Sequence, residues 1–144
     1  MKFSSILLSA FMFLLLIGKV NAQAQISVND HVPSQVQNFV KKHFPENQIV
    51  KYKMEVSQRK TEYEIKLDEK TELDFNQDFQ LIEGDSKLGL PLSVLPKKIV
   101  DYISQNQPNV AVKEWEIKPY GQKAELTNGV DLYFDKDGYF VRHK

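Results

Sequence analysis

The stretch DHVPSQVQNFVKKHFP, Asp30 to Pro45, is written a second time in pattern as SVLPKKIVDYISQNQP, Ser93 to Pro108. At a constant offset of 63, Asp30 meets Ser93, Pro33 meets Pro96, Val36 meets Ile99, Phe39 meets Tyr102, Val40 meets Ile103 and Pro45 meets Pro108. Apolar residues spaced i, i+3 and i+4 give each copy the single buried stripe of a helix. Asp30 and Ser93 are placed as N-cap residues, whose side-chain oxygens satisfy free backbone N–H groups. Pro33 and Pro96 then fall in the first turn, where no hydrogen bond is lost, and Pro45 and Pro108 end the helices. An internal repeat of this kind is a supersecondary unit that cannot bury its apolar face alone, so the two copies are expected to pack together.

Beyond each helix the apolar period falls to two, the signature of strands. Met54-Glu55-Val56 aligns with Trp115-Glu116-Ile117 at an offset of 61, and Ile65, Leu67, Leu73 and Phe75 align with Ala124, Leu126, Leu132 and Phe134 at 59. Each change of offset is expected between elements, because a one-residue slip inside a strand would turn every side chain to the other face. The predicted class is α+β: a tandem repeat of one helix followed by three or four antiparallel strands. The helices lie on one face of the sheet and the other face is exposed to solvent.

The segment VDLYFDKDGYF, Val130 to Phe140, contains an Asp-x-Asp-Gly core that could open a calcium loop or turn a hairpin. A calcium loop of the EF-hand type needs an oxygen ligand five positions before the glycine and a carboxylate six after it, and those positions hold Tyr133 and Lys144. A turn needs only Gly138 at positive φ and Asp135 bonding its own backbone, so the turn is the reading adopted. Thr127-Asn128-Gly129 marks the preceding hairpin in the same way.

Alternation assigns the two faces. Met54, Val56, Tyr63, Ile65, Leu67, Leu73 and Phe75 point toward the helices, as do Trp115, Ile117, Ala124, Leu126, Val130, Leu132 and Phe134 in the second copy. The outward set is Lys53, Glu55, Glu64, Lys66, Glu72 and Asp74, then Glu114, Glu116, Lys123, Glu125, Asp131, Tyr133 and Arg142. One account of this face is a solvated lattice of cross-strand charge pairs, each contributing about 0.2–1 kcal/mol. The sharper account is a docking surface for a protein or peptide, carried by Glu55, Glu64, Lys66, Asp74, Glu116, Glu125, Tyr133 and Arg142.

Residues 1–22 read as a signal peptide: Lys2 supplies a positive charge, Phe3 to Ile17 is apolar, and Val20-Asn21-Ala22 offers a cleavage site. The apolar run is short for a bilayer span, so no stable membrane anchor is expected after cleavage and a periplasmic or secreted location follows. Residues 23–144 form a single expected domain of two repeats, 29–84 and 92–144. Lys2 and Lys19 leave with the leader, so 19 basic against 19 acidic residues become 17 against 19, a formal charge of −2 that argues against a nucleic-acid partner. The sequence has no cysteine, which excludes disulfides and thiol chemistry.

Nothing in the sequence asks for a catalyst or a cofactor. His31, His43 and His143 lack the spacing of a metal site, and no Gly-x-Ser-x-Gly or phosphate-binding glycine loop is present. Glu114 and Glu116 share a strand face, but on an open charged surface their carboxyls keep ordinary acidity. The chain is expected to be non-enzymatic, with no metal and no cofactor.

The helix entry PLSVLPKKIVDYISQNQPN, Pro91 to Asn109, followed by the hairpin NGVDLYFDKDG, Asn128 to Gly138, resembles the exported PepSY-like proteins described as similar to a β-lactamase inhibitor protein. The resemblance covers nearly all of residues 23–144 in two copies. It implies a helix packed on antiparallel strands, repeated and merging into one sheet, with a binding or peptidase-inhibitory role toward an unidentified envelope or extracellular protein or peptide. The first copy departs from the pattern, having Asp68-Glu69-Lys70 and Asn76-Gln77-Asp78 in place of the glycine turns. The sheet face also has few of the aromatic anchors an inhibitor uses, so β-lactamase inhibition does not carry over. The alternative function is a small-molecule or cation carrier, which would need a pocket between the halves near Gly84 to Leu92 or clustered acids acting on calcium.

Overall fold

The computed structural model describes residues 28–144 apart from Arg59; the signal-peptide expectation lies outside the described residues. The chain runs as helix α1 (Ser34–His43), strands β1 (Ile49–Val56), β2 (Thr61–Leu67), β3 (Thr71–Asn76) and β4 (Leu81–Ser86), then helix α2 (Lys97–Asn106) and strands β5 (Val112–Lys118), β6 (Gly121–Leu126), β7 (Asp131–Phe134) and β8 (Phe140–His143). The unit is thus one helix and four strands, twice. All eight strands form one sheet in the order β1 to β8, every neighbour antiparallel.

The helices begin one step later than the sequence suggested. Pro33 and Pro96 themselves occupy the N-cap positions, with no side-chain cap, while Asp30 and Ser93 lie in short 3-10 turns, Val28–His31 and Leu92–Val94. A proline whose own φ is fixed in the extended region launches the helix without a capping oxygen, and its carbonyl takes the first helical N–H: Gln37 N donates to Pro33 O at 3.0 Å and Val100 N to Pro96 O at 3.1 Å. The Ser93 hydroxyl instead sits 2.8 Å from His43 Nδ1, tying the end of α1 to the approach to α2.

The ladder corrects one alignment. Tyr52 pairs with Ile65 as Trp115 pairs with Ala124, and Ile49 pairs with Leu67 as Val112 pairs with Leu126. The offset of 63 therefore continues from the helix through β1 and β5, so Trp115 corresponds to Tyr52 and Ile117 to Met54, and the offset of 61 is discarded. The whole difference of four residues falls in the β1–β2 hairpin, from which point 59 holds to the end. Even the irregularities are duplicated: bulges lie between Ile49 and Lys51 and between Val112 and Glu114, and again between Asp74 and Phe75 and between Tyr133 and Phe134.

The disputed Asp-x-Asp-Gly segment is a turn. Asp135 Oδ1 accepts from Asp137 N at 3.0 Å and Tyr139 N at 2.9 Å, and Gly138 N donates to Asp135 O at 3.1 Å. Asn76 does the same in the first copy, accepting from Asp78 N and Gln80 N at 3.0 Å each, with Phe79 standing where Gly138 stands and sharing its positive φ. The glycine was replaced and the turn was kept.

Val36 and Val40 of α1 and Ile99 and Ile103 of α2 press on Ile65, Leu73, Phe75, Ala124, Leu132 and Phe134. Phe39 meets Phe75 edge-on at 5.1 Å, and Tyr102 repeats this on Phe134 at 5.6 Å. The strands outrun the helices at one end of the sheet. Met54, Val56 and Ile117 face the helix side as expected, yet they are exposed, at 53%, 69% and 52%. Trp115 is buried.

Candidate functional site

Antiparallel pairing sets one residue of each strand in line across the outer face: Lys53, Glu64, Asp74, Glu83, Glu116, Lys123, Tyr133 and Arg142. The next row is Lys51, Lys66, Glu72, Asp85, Glu114, Glu125 and Asp131. The first row carries cations at both flanks and the second only on β1 and β2, so four consecutive acids in one row and five in the other run across the junction of the two repeats at β4 and β5. Like charges directly opposite one another in a sheet are destabilising, so this seam works against the fold.

Lysines relieve part of the charge. Lys66 bonds Glu72 at 2.7 Å and lies 3.6 Å from Glu64; Lys113 bonds Glu125 at 2.8 Å; Lys123 lies 3.5–3.8 Å from Glu114, Glu125 and Asp131; Lys118 pairs with Glu116. Asp74, Glu83 and Asp85 form no ion pair among the described residues. These three carboxylates, with Glu64, Glu72, Lys70 and Lys87, line a depression of about 640 Å³ on the outer face. Burial, then the neighbouring Glu64, Glu62, Glu72 and Glu55, push the Asp74 carboxyl up to about 6. Glu83 is raised by burial and then by Asp74 and Glu116, and Glu114 is raised chiefly by burial. A cationic ligand seated in the depression would relieve the repulsion and find its counter-charge already partly stripped of water.

The residues singled out from sequence divide by position. Glu64, Lys66, Asp74 and Glu116 surround the seam, and Glu125 sits beside it in its bond to Lys113. Glu55 lies outside the depression, near the end of the edge strand β1 and paired with Lys53, while Tyr133 and Arg142 lie toward the β8 edge, where the guanidinium stands 3.9 Å over the phenol ring. Glu116 was expected in solvent and is 7% exposed, because Lys118 folds over it and Glu83 and Lys123 flank it on both sides. Glu83 and Asp85 were missed. Both lie on β4, where the alternation in LIEGDS is too short to fix the fourth strand from sequence.

The cleft between the halves, lined by His43, Phe44, Ser86, Leu88, Gly89 and Pro91 among others, measures about 160 Å³, small against the 300–1,000 Å³ typical of ligand pockets. Among the described residues no three His, Cys, Asp or Glu side chains are set to hold a metal ion. No helix there is long and apolar enough to cross a membrane.

A duplicated helix-and-four-strand unit joined into one antiparallel sheet, with an acidic outer seam, defines a small two-repeat α+β module. The chain belongs to the PepSY-like family described as "Putative beta-lactamase-inhibitor-like, PepSY-like", whose model matches residues 19–83 and again 85–142. Three solved structures are similar over 83% of this chain. One is a "putative periplasmic protein" of the DUF2874 family from Bacteroides vulgatus, with 27% identity, TM-score 0.73 and 94% of that chain covered. Another is a "putative calcium-regulated periplasmic protein" from Bacteroides thetaiotaomicron, with 25% identity, TM-score 0.72 and 94% of that chain covered. The third is a "putative periplasmic protein of unknown function" from Bacteroides vulgatus, with 26% identity, TM-score 0.72 and 95% of that chain covered. No curated protein matches the chain significantly.

Proposed function

We propose that this chain is an exported, non-enzymatic binding protein of the periplasm that captures a cationic segment of another protein or peptide on the acidic seam of its sheet. One observation carries the reading: Asp74, Glu83 and Asp85 stand together without ion pairs in a depression of about 640 Å³. A fold spends stability on opposed carboxylates where a partner later neutralises them. A segment rich in lysine or arginine laid across the strands meets acids from β2, β3, β4 and β5, and long-range attraction raises its rate of encounter. The periplasmic descriptions of the similar structures and the short leader support the location. Peptidase inhibition is one form such capture can take.

The test is capture from envelope extract with residues 23–144, compared with the Glu83→Lys/Asp85→Lys variant and across a salt series. The expected result is a specific partner lost from the variant and weakened by salt. A partner retained equally by both forms would leave the seam a solvated surface. The description of one similar structure as calcium-regulated sets a second arm: a melting temperature that rises with calcium, in proportion to its excess over the dissociation constant, would favour a cation carrier instead.

A further inference from the structure

The two repeats differ at one spot on the helix side of the sheet, and a cavity lies beside it in the second. In the first repeat Tyr52, Tyr63 and Phe79 form a three-ring stack, with centroids 6.4 Å and 5.1 Å apart. Their counterparts are Trp115, Gln122 and Gly138, so two of the three rings are gone. Gln122 is buried and faces inward, its Oε1 accepting from the Trp115 indole at 3.1 Å and its Nε2 donating to Lys136 O at 3.4 Å. Beside Gln122 lies a cavity of about 500 Å³, within the range of ligand pockets, while at Gly138 the side chains of Lys98 and Ile99 cover the place of the third ring. Its walls are Pro96, Trp115, Ile117, Pro119 and Gly121 with Gln122, and the two remaining lining residues are Lys118 and Lys136.

Two features choose the occupant. The walls are apolar, and half of Ile117 stands in solvent there, so an apolar chain is what they would take out of water. No acid lines the space; the Lys118 ammonium is turned to Glu116 on the other face, which leaves Lys136, with no ion pair among the described residues, as the cation at its rim. A neutral or cationic amphiphile would leave that charge unanswered. We propose that this cavity is a binding site for a free acyl-chain carboxylate, its chain laid on Trp115, Ile117 and the two prolines and its head group met by Lys136. The site is on the opposite layer from the acidic seam and does not depend on the seam having a partner.

Trp115 is the sole tryptophan in the sequence and a wall of the cavity, so its emission reports occupancy directly. Residues 23–144 are titrated with decanoate below its micellar concentration, with decyltrimethylammonium, and with phosphatidylglycerol vesicles. The expected result is a saturable one-to-one response to decanoate, binding of the cationic amphiphile weaker by about tenfold, roughly 1.4 kcal/mol, and no response to vesicles. Ile117→Asp and Lys136→Glu, both at solvent-exposed positions that the fold does not need, are each expected to weaken decanoate by several-fold, while Glu83→Lys leaves it unchanged. No saturable response, equal affinity for both amphiphiles, a response to vesicles alone, or undiminished binding by both cavity variants would each overturn the assignment.

Discussion

Asp74 and Glu83 sit side by side on β3 and β4; their counterparts in the second repeat, side by side on β7 and β8, are Tyr133 and Arg142. The backbone pairing is the same, down to the bulge that follows. The chemistry is opposite: two carboxylates repel at the seam, whereas at the outer edge a guanidinium covers a phenol at 3.9 Å. The same contrast holds on the other layer, where three stacked rings face a cavity walled by one. The duplicated scaffold tolerates either content at its surface, because what it must conserve is the interdigitation of the inward residues with the helices.

That claim is broken most directly in the core. Phe75→Ala and Phe134→Ala remove equivalent, fully buried rings, so each is expected to lower unfolding free energy by about 3–5 kcal/mol, and by similar amounts. Because β4 and β5 join the repeats in one sheet, both variants should unfold in a single transition by circular dichroism and by Trp115 emission alike. Two separated transitions in Phe75→Ala, with Trp115 reporting only the later one, would mean that the repeats are independent domains.

Gly121 and Glu62 hold equivalent places at the start of β6 and β2, yet only one tolerates a side chain. Gly121 has φ +152, and a Cβ there would lie 2.1 Å from Phe134 O. Gly121→Ala is therefore expected to cost roughly 2–3 kcal/mol, since backbone must move. Glu62→Ala, which loses an exposed pair with Lys60, should stay within about 0.5 kcal/mol. Equal melting temperatures for the two variants would remove the reason for this difference between the copies.

The seam comparison predicts a gain. Asp74 titrates at about 6 in the folded chain, above its ordinary 3.8, so between those values the folded state holds more protons than the unfolded and stability falls as pH rises. The contribution is intact below the unfolded pKa and is lost as pH passes the folded one. The group is half-buried, and screening reduces the loss to about 1 kcal/mol. Asp74→Asn should thus stabilise the chain at neutral pH by about that amount and flatten the profile across that interval, while Tyr133→Phe, at the equivalent site, leaves the profile unchanged. A steeper fall in Asp74→Asn would contradict the burial of the carboxyl.

The repeat, the class and the orientation of the sheet were legible because helix and strand periods are printed in residues such as Val36, Val40, Leu73 and Phe75, whose burial the fold cannot do without. The seam was half legible: Glu64, Asp74 and Glu116 follow from alternation, but their convergence needs the pairing of β4 with β5, which joins residues some thirty apart across α2 and leaves no local period. The cavity was illegible. It lies where Gln122 stands in place of the Tyr63 ring, and an absence has no periodicity; only the correct offset of 63, fixed by the ladder rather than by the likeness of Met54-Glu55-Val56 to Trp115-Glu116-Ile117, sets Trp115 against Tyr52 and exposes the missing ring.

The smallest effect concerns the turns, where sequence and geometry disagree most openly. The β2–β3 turn sets Glu69 at φ +56 and Lys70 at φ +61, whereas the β6–β7 turn has Gly129 at φ +85 in the place of Lys70. A left-handed conformation strains a residue with a Cβ by about 1–2 kcal/mol, and replacing it with glycine returns part of that gain as unfolded-state entropy. Lys70→Gly should therefore stabilise the chain by about 0.5–1 kcal/mol, and Gly129→Lys destabilise it by a similar or larger amount, measured as paired shifts in denaturant midpoint at unchanged slope. Opposite signs from the two exchanges would establish that positions 70 and 129 share one left-handed backbone conformation although Asn128 lacks the positive φ of Glu69; the same sign from both would mean that the two positions differ in geometry as well.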